Sequence, residues 1–483
     1  MTTTTETPNG LRVEGFRTRR SHGAGNLSKN ATMLGATILA FDGVIATNAP
    51  ATLWVTLPVT FFGLGLTVAR RHGMSALSYY RAKVAWKLAA RAEATNYRKV
   101  LLELPYSLDL PGVAASTTLI QAHDPTTGRQ VGVVHNRRSG YMTISTLLAP
   151  GGSLMAPTAS VRSNLRNWGS VLDAMSTDEQ IKGASVTIQI TPGAGETLGD
   201  DIAARRDPDA PAVAQALIDE LVKTAPRATA SVAPWMSVIV DPNATATPPA
   251  DLAEQVAETL RVVDSLDLSG TGTDVIRRAT ATDLRRLVRS AFDPSSFFAR
   301  DEEFGDLSWG ECGPMAADDG FKVYAHDGAL SVSWVLREMP KRPIPYSTLL
   351  PLLSPGKFQR RVTLAYRVLD PHEGEAVLER EISNAHQAAE TTAQVKGRAR
   401  WSQKADYAKA EKAAAQAASG AQVVDWTLMA TVTARTVADL PAARQELDRA
   451  VKATRALRMR PAFGAQGAVF AAGLPIGYHP LVK

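Results

Sequence analysis

The sequence predicts an α+β protein in which an N-terminal two-helix transmembrane hairpin precedes a cytosolic body of two similar α/β-layered units. Two observations lead to this prediction. Residues 30–71 contain two apolar runs between basic flanks. Residues 113–268 and 321–483 each show the order hairpin, helix, strand, helix, strand, helix. Strands that alternate with helices are typical of α/β layers, and the hairpins add antiparallel pairing.

The apolar runs cover residues 32–46 and 53–69 and are joined by an uncharged link. A helix needs about 17–25 apolar residues to cross a bilayer. The second run just reaches this length, whereas the first reaches it only with its flanking residues and with Asp42 included. Backbone groups in lipid must be hydrogen-bonded within their own segment, so both runs would be helices. The alternative is a buried helical hairpin in a soluble protein. A cleaved signal peptide would not explain the second run and the basic residues behind it.

Asp42 is the one ionisable residue in the first apolar run. A charge is expensive in lipid, so such a residue is by default a functional hypothesis. A position near the membrane end, or protonation against a neighbouring helix, would explain it as well.

Basic residues flank the hairpin on both sides and are absent from its link. Five basic residues precede the hairpin within residues 1–29. The start of this segment is polar, and we predict a basic mobile tail. By the positive-inside rule, both termini and the body lie in the cytoplasm, and the chain belongs to the cell (inner) membrane. The formal net charge is +6. Much of this excess sits beside the hairpin, where anionic lipid would attract it, so it is weak evidence for nucleic-acid binding.

Residues 72–112 predict an amphipathic helix and a linker. Between Ser75 and Leu102 the spacing is helical, with Tyr80, Val84 and Leu88 on one stripe and basic residues opposite. Such a helix would leave the membrane or lie on its surface; packing on the soluble body is the alternative.

The two units follow in order. The first, residues 113–268, predicts strands at 131–134 and 141–148, a helix at 161–175, a strand at 184–191, a helix at 211–224, a strand at 228–240 and a helix at 249–266. The second, residues 321–483, predicts a hairpin at 321–338, a short helix at 347–353, a strand at 361–369, one or two helices within 371–418, a strand at 423–434 and a helix at 438–456. The repeat is one of element order, without visible sequence identity. A connecting segment, residues 269–320, lies between the units and contains a basic helix at 281–292.

The sequence contains no recognisable catalytic, cofactor-binding or metal-binding motif. A P-loop needs a lysine directly after its second glycine and then Ser or Thr, and none of the glycine-rich stretches fits; Gly356-Lys357 is followed by Phe358. The histidines are scattered, and His372-Glu373 lacks a second His four residues after the first. Cys312 is the single cysteine, which excludes a disulfide framework and fits a cytoplasmic body. We therefore expect a protein that is not an enzyme, has no cofactor or metal, and has an inert thiol.

The helix at 281–292 carries Arg285, Arg286 and Arg289. This cluster could contact a phosphate backbone. A solvated or acid-paired helix face is the commoner explanation of such a pattern, and no aromatic platform for single strands is evident.

Three stretches and the hairpin together resemble a known family. The stretches are RLVRSAFDPSS at 286–296, WGECGPMAADDGFKVYAHDGALSVSWVLREMP at 309–340 and FGAQGAVFAAGLPIG at 463–477. This combination looks like an actinobacterial family of membrane proteins found with conjugative-transfer and secretion-like gene sets. The soluble part more distantly resembles the non-catalytic N-terminal region of type IV secretion ATPases, where a phrase like 463–477 precedes the motor domain. The resemblance thus implies a motor on a separate polypeptide.

The resemblance implies a non-enzymatic inner-membrane component of a conjugative DNA-transfer machine of the type IV secretion kind. Its expected partners are the membrane, a secretion or conjugation ATPase and other machine subunits, with homo-oligomerisation and direct nucleic-acid contact left open. Two alternatives are an EccE-like membrane component of type VII secretion and a DNA-processing enzyme of a mobile element, although the scattered histidines argue against the latter. The phrase at 463–477 would contact a partner or close the core through Gln466, Phe470, Leu474 and Pro475.

Overall fold

The computed structural model describes residues 3–7, 10–14, 37, 40, 47, 58, 69–71, 73–99, 109–151, 156–193, 207, 210–224, 230–299, 301–340, 344–396, 408, 410–415 and 423–482. Almost all of the predicted hairpin at 30–71, with Asp42, lies outside these residues. Among the described residues, no helix combines the length and the apolar character that crossing a membrane requires.

The elements before the body are strands β1 (Thr3–Thr7), β2 (Gly10–Glu14), β3 (Arg70–Arg71) and β4 (Met74–Ser75), helix α1 (Ala76–Arg91) and strand β5 (Asn96–Arg98). The first unit contains β6 (Thr117–His123), β7 (Gln130–Asn136), β8 (Met142–Pro150), α2 (Thr158–Thr177), β9 (Ile181–Pro192), α3 (Ala212–Thr224), β10 (Ala230–Val240) and α4 (Leu252–Asp264).

The connecting segment contains β11 (Thr273–Arg278), α5 (Ala281–Phe292), α6 (Glu302–Gly305) and β12 (Ala316–Asp319). The second unit contains β13 (Tyr324–His326), β14 (Ala329–Glu338), β15 (Ile344–Pro345), α7 (Leu350–Leu353), β16 (Gln359–Val368), α8 (Pro371–Lys396), β17 (Val424–Ala434), α9 (Leu440–Ala453), β18 (Arg458–Pro461) and α10 (Gln466–Ala472).

One antiparallel sheet joins both units, which confirms the α+β class. Its strand order is β5-β12-β13-β14-β17-β16-β9-β10-β8-β7-β6, with β11 added to β8 and β18 added to β14. The units meet at the centre, where β9 and β16 pair antiparallel. There Thr187 lies opposite Thr363, and their hydroxyl oxygens are 3.0 Å apart.

The order of strand pairing repeats on the two sides of this central ladder. Outward from β9 come β10, β8 and β7, and outward from β16 come β17, β14 and β13. The outer edge of β8 pairs first with β7 and then with β11, just as the outer edge of β14 pairs with β13 and then with β18. Both added ladders contain a register shift. The repeated element order in the sequence therefore corresponds to a repeated order of strand pairing on the two sides of the β9–β16 ladder.

The two faces of the sheet differ in chemistry. One face is apolar, and it packs against α2 and α4 in the first unit and against α7 and α9 in the second. The other face carries hydroxyl, amide and guanidinium groups on the strands near the β9–β16 ladder, and α5, α10 and the C-terminal segment cover it. Buried polar residues on this face include Ser145, Thr187, Gln189, Ser237, Gln359, Arg361, Thr363, Thr431 and Thr433.

Three boundaries differ from the predictions. Residues 1–29 were predicted as a mobile tail, but β1 and β2 pair with each other and β2 also pairs with β15, which gives the backbone groups of residues 3–7 and 10–14 partners. The helix predicted to reach Leu102 ends at Arg91, because the chain turns through Glu93 at φ +54 and continues as β5 against β12. The connecting segment is not separate from the units, because β11 and β12 are strands of the sheet.

Candidate functional site

Helix α5 begins with a capping box in which Thr280 and Asp283 satisfy each other's backbone N–H groups, at 3.2 and 2.7 Å. Its apolar side, which includes Leu284 and Val288, is buried against the sheet. The close approach depends on Gly132 of β7, because a Cβ there would lie 2.7 Å from the Leu284 side chain. The arginines therefore project from the opposite side of the helix.

The three arginines of α5 bind groups in the stretch of chain that follows the helix. Arg285 donates to the carbonyl oxygen of Gly305 at 2.8 Å. Arg286 forms an ion pair with Asp301 and stacks over the ring of Phe304. Arg289 contacts a carboxylate oxygen of Asp327 at 3.2 Å and donates to the Gly313 carbonyl at 3.1 Å. Each arginine thus uses at least one terminal nitrogen within the chain, and Arg286 and Arg289 are paired with acids.

The four residues that the sequence indicated in the phrase at 463–477 are all buried. Gln466 is fully buried; its Oε1 accepts the Ser333 N–H at 2.7 Å, and its Nε2 donates to the Ala462 carbonyl at 2.9 Å. Phe470 is 1% exposed. Leu474 and Pro475 are also buried. These contacts fasten α10 to β14 and bury its apolar side.

Phe470 packs within a set of rings contributed by several elements. Its centroid lies 4.9 Å from that of Phe292, at the end of α5, and 4.9 Å from that of His326, on β13. The Arg361 guanidinium lies 4.2 Å from the centroid of the same ring. Helices α5 and α10 therefore meet over the centre of the sheet.

Two titratable groups are sealed beneath α10. Arg361 is 3% exposed, its two terminal nitrogens find no hydrogen-bond partner among the described residues, and burial lowers its pKa to about 9. His326 is 1% exposed, and burial together with nearby Arg361 lowers its pKa to about 3, so its imidazole is neutral near pH 7. Its Nε2 lies 2.8 Å from the Ser331 hydroxyl. Neither group is open to solvent.

A cleft of about 770 Å³ opens on the other face of the sheet, between the ends of β9 and β10, the loop before β16, and α9. Arg360 lies there, 3% exposed, and pairs with Glu446 at 2.6 Å. The Lys357 amide donates to the same carboxylate at 3.1 Å. At Gly356 a Cβ would lie 1.9 Å from Glu446 Oε1. Gly356-Lys357 therefore lies in a loop whose donors surround an internal carboxylate, not in a phosphate-binding turn.

The thiol of Cys312 is buried, and its Sγ donates to the Ser308 carbonyl at 3.3 Å. Burial raises its pKa to about 12, so the thiolate is scarce near pH 7. Among the described residues, no group of three or more His, Cys, Asp or Glu side chains is placed to hold a metal ion. Asp42 lies outside the described residues.

Helix α1 is fixed to the second unit by an aromatic cluster of Tyr79, Trp86, Phe321 and Phe463, here called the α1 junction. Tyr79 is buried and meets Phe321 and Phe463 edge-on, with centroids 5.5 and 5.4 Å apart. Trp86 packs on Phe321, and its indole N–H donates to the Asp319 carbonyl at 2.8 Å. The sequence interpretation overlooked this packing face, although two aromatic residues seven positions apart were a signal for it.

The α1 junction shows that both expectations for this helix were incomplete. One side of α1 packs on the body, and the side with Val84 and Leu88 is exposed. Phe463 is also the first residue of the C-terminal phrase, so the helix that follows the apolar runs and the phrase that closes the core meet in one cluster.

A scan against protein-family models and a search of curated proteins found no match to this chain.

Proposed function

We propose that this protein is a non-enzymatic inner-membrane component of a conjugative, type IV-secretion-like machine. Residues 30–71 anchor it, and its cytosolic body docks a separate ATPase. The observation that carries this proposal is the α1 junction, through which the segment next to the apolar runs is held by the folded body. A docking component has to hold its partner at a fixed place relative to the membrane. The packed aromatic side chains of the α1 junction hold the helix next to the proposed anchor against the folded body.

The state of the chemically capable side chains also supports a scaffold. The thiol of Cys312 and the imidazole of His326 are buried. The arginines of α5 bind groups within the chain. The donors beside the cleft surround Glu446. An assembly role requires none of these groups to meet a substrate.

The burial of the C-terminal phrase constrains how an ATPase would dock. Gln466, Phe470 and Leu474 are at most 3% exposed, so they would stabilise the docking surface from below and not contact the partner themselves. A substitution in the phrase would then lower stability and ATPase association together. Loss of association from a protein of unchanged stability would instead place the phrase in the interface.

The test is affinity purification of the tagged, detergent-solubilised protein from its native host, followed by mass spectrometry. An unrelated membrane protein of that host with the same tag is the control. The proposal predicts enrichment of a conjugation-type ATPase with other membrane subunits. Enrichment of type VII secretion components would instead assign the protein to a type VII machine, with protein and not DNA as the cargo. A monodisperse protein in the soluble fraction without partners would contradict the proposal.

A further inference from the structure

Helix α1 is strongly basic and has two distinct sides. Its sixteen residues, ALSYYRAKVAWKLAAR, include four cations and no acidic residue. The side with Tyr79 and Trp86 is taken up by the α1 junction. The other side is the one to be explained.

That other side presents an apolar stripe to the surroundings. Val84 is 55% exposed and Leu88 is 58% exposed, and they follow Tyr80, which is 42% exposed, at intervals of four residues. Residues four apart lie one above the other on a helix, so the stripe is continuous. Arg81 borders it on one side, and Lys87 and Arg91 border it on the other, all three exposed. The pattern is an apolar strip between two rows of cations.

We propose that this stripe lies in the headgroup region of an anionic membrane surface, with the flanking cations on lipid phosphates. The inference deepens the proposed function and rests on its membrane anchor. Two observations select lipid over a protein partner. Only six residues separate Ala69, where the second apolar run ends, from the first residue of α1. A helix with cations on both sides of its apolar strip and no acidic residue also complements a surface of uniform negative charge.

The proposed contact fixes the orientation of the body. The opposite side of α1 is held by Phe321 and Phe463, so a lipid-bound α1 places the second unit next to the membrane.

Site-specific fluorescence tests the contact in the full-length protein. An environment-sensitive probe is attached at Val84→Cys or Leu88→Cys, with Ala85→Cys as the matched control. Ala85 is exposed on the same helix but lies about 100° from Val84 around its axis. Cys312 is buried and does not compete for the label. The protein is reconstituted in nanodiscs of phosphatidylcholine alone or of an equal mixture with phosphatidylglycerol.

In the anionic nanodiscs, we expect the probes at 84 and 88 to emit at shorter wavelength and to be quenched by spin-labelled lipid. The probe at 85 should change little. Arg81→Glu with Lys87→Glu should abolish the shift at 84 while the protein stays in the disc.

Equal emission at 84, 88 and 85 in discs that contain the protein would overturn the α1 contact and leave the anchor intact. An emission shift at 84 and 88 that appears only when native membrane subunits are added, and not with anionic lipid alone, would overturn the contact in favour of a protein partner. Failure of the chain to enter the discs would overturn both the anchor and the contact.

Discussion

Replacing Phe470 by alanine tests whether the C-terminal phrase closes the core. The ring is 1% exposed and packs between Phe292, Tyr324 and His326. Its removal leaves a cavity where α5 and α10 meet over the sheet. It also removes an aromatic face that lies against the Arg361 guanidinium.

The expected cost follows from these contacts. Truncation of a buried phenylalanine to alanine lowers the free energy of unfolding by about 3–5 kcal/mol. A cation over a desolvated ring contributes about 2 kcal/mol, which places Phe470→Ala at the upper end of that range. Phe470→Leu retains most of the volume and loses the aromatic face. It should therefore cost about 2 kcal/mol, the part that belongs to the cation–ring contact.

The assay is urea unfolding of the detergent-solubilised chain, followed by tryptophan fluorescence and by circular dichroism. Trp235 is 1% exposed and reports on the core. Coincident transitions at an unchanged slope allow the shift in midpoint to be converted into a free energy. Val437→Ala is the control, since Val437 is 74% exposed and its truncation should stay within about 0.5 kcal/mol. A cost at Phe470→Ala no larger than this control would refute the closure argument.

Three further predictions concern other positions in the fold. Gly477→Ala should lower the free energy of unfolding by at least about 1–2 kcal/mol in the urea assay, because φ is +73 and the added Cβ would lie 2.1 Å from the Thr143 hydroxyl oxygen. Gly328→Ala is the control, since a Cβ there meets nothing within 4 Å. An equal loss of stability in the two variants would contradict the prediction for Gly477. Cys312 should resist a thiol reagent at pH 8 until urea unfolds the chain, because burial raises its pKa to about 12; rapid labelling of the folded protein would show that the site is open. Burial lowers the pKa of His479 to about 4, so its imidazole is neutral in the folded protein near pH 7. The unfolded chain binds the proton at higher pH, and the free energy of unfolding should therefore fall as pH drops from 6.5 towards 4, by up to about 1.4 kcal/mol per pH unit. An unchanged dependence of the free energy of unfolding on pH in His479→Gln would contradict this assignment.

The sequence was sufficient for the type and order of most elements, because alternation and helical spacing are local signals. In β9, Val186, Ile188 and Ile190 alternate with polar residues, and in β16, Val362 and Leu364 do the same. These apolar residues lie on one face, with Ile188 opposite Val362. The alternation is therefore consistent with the observed register. That β9 pairs with β16 at all depends on packing across the whole body, for which one sequence contains no local signal.

The polar side of the same strands shows where pattern reasoning fails. Alternation assigns Thr187, Gln189, Arg361 and Thr363 to a solvent-facing surface. In the structure, α5, α10 and the C-terminal segment cover them, and all four are buried. The covering helices come from distant parts of the chain, so their position could not be read from the strands.

The three arginines of the basic helix lie on the helix that the sequence predicted, but their partners were not foreseen. The sequence placed Arg286 and Arg289 on one basic helix. The acids that bind them, Asp301 and Asp327, lie 15 and 38 residues further along the chain. Such pairs depend on the path of the connecting segment around α5, which only the fold defines.

Alkaline carbonate extraction of membranes from cells that produce the intact chain tests the central claim most directly. A protein anchored by residues 30–71 remains in the membrane pellet at alkaline pH, whereas a protein held only by the charges of α1 is released. The anchor predicts that the intact chain stays in the pellet and that a chain without residues 30–71 moves to the supernatant. Release of the intact chain by carbonate would contradict the anchor and the proposed function built on it.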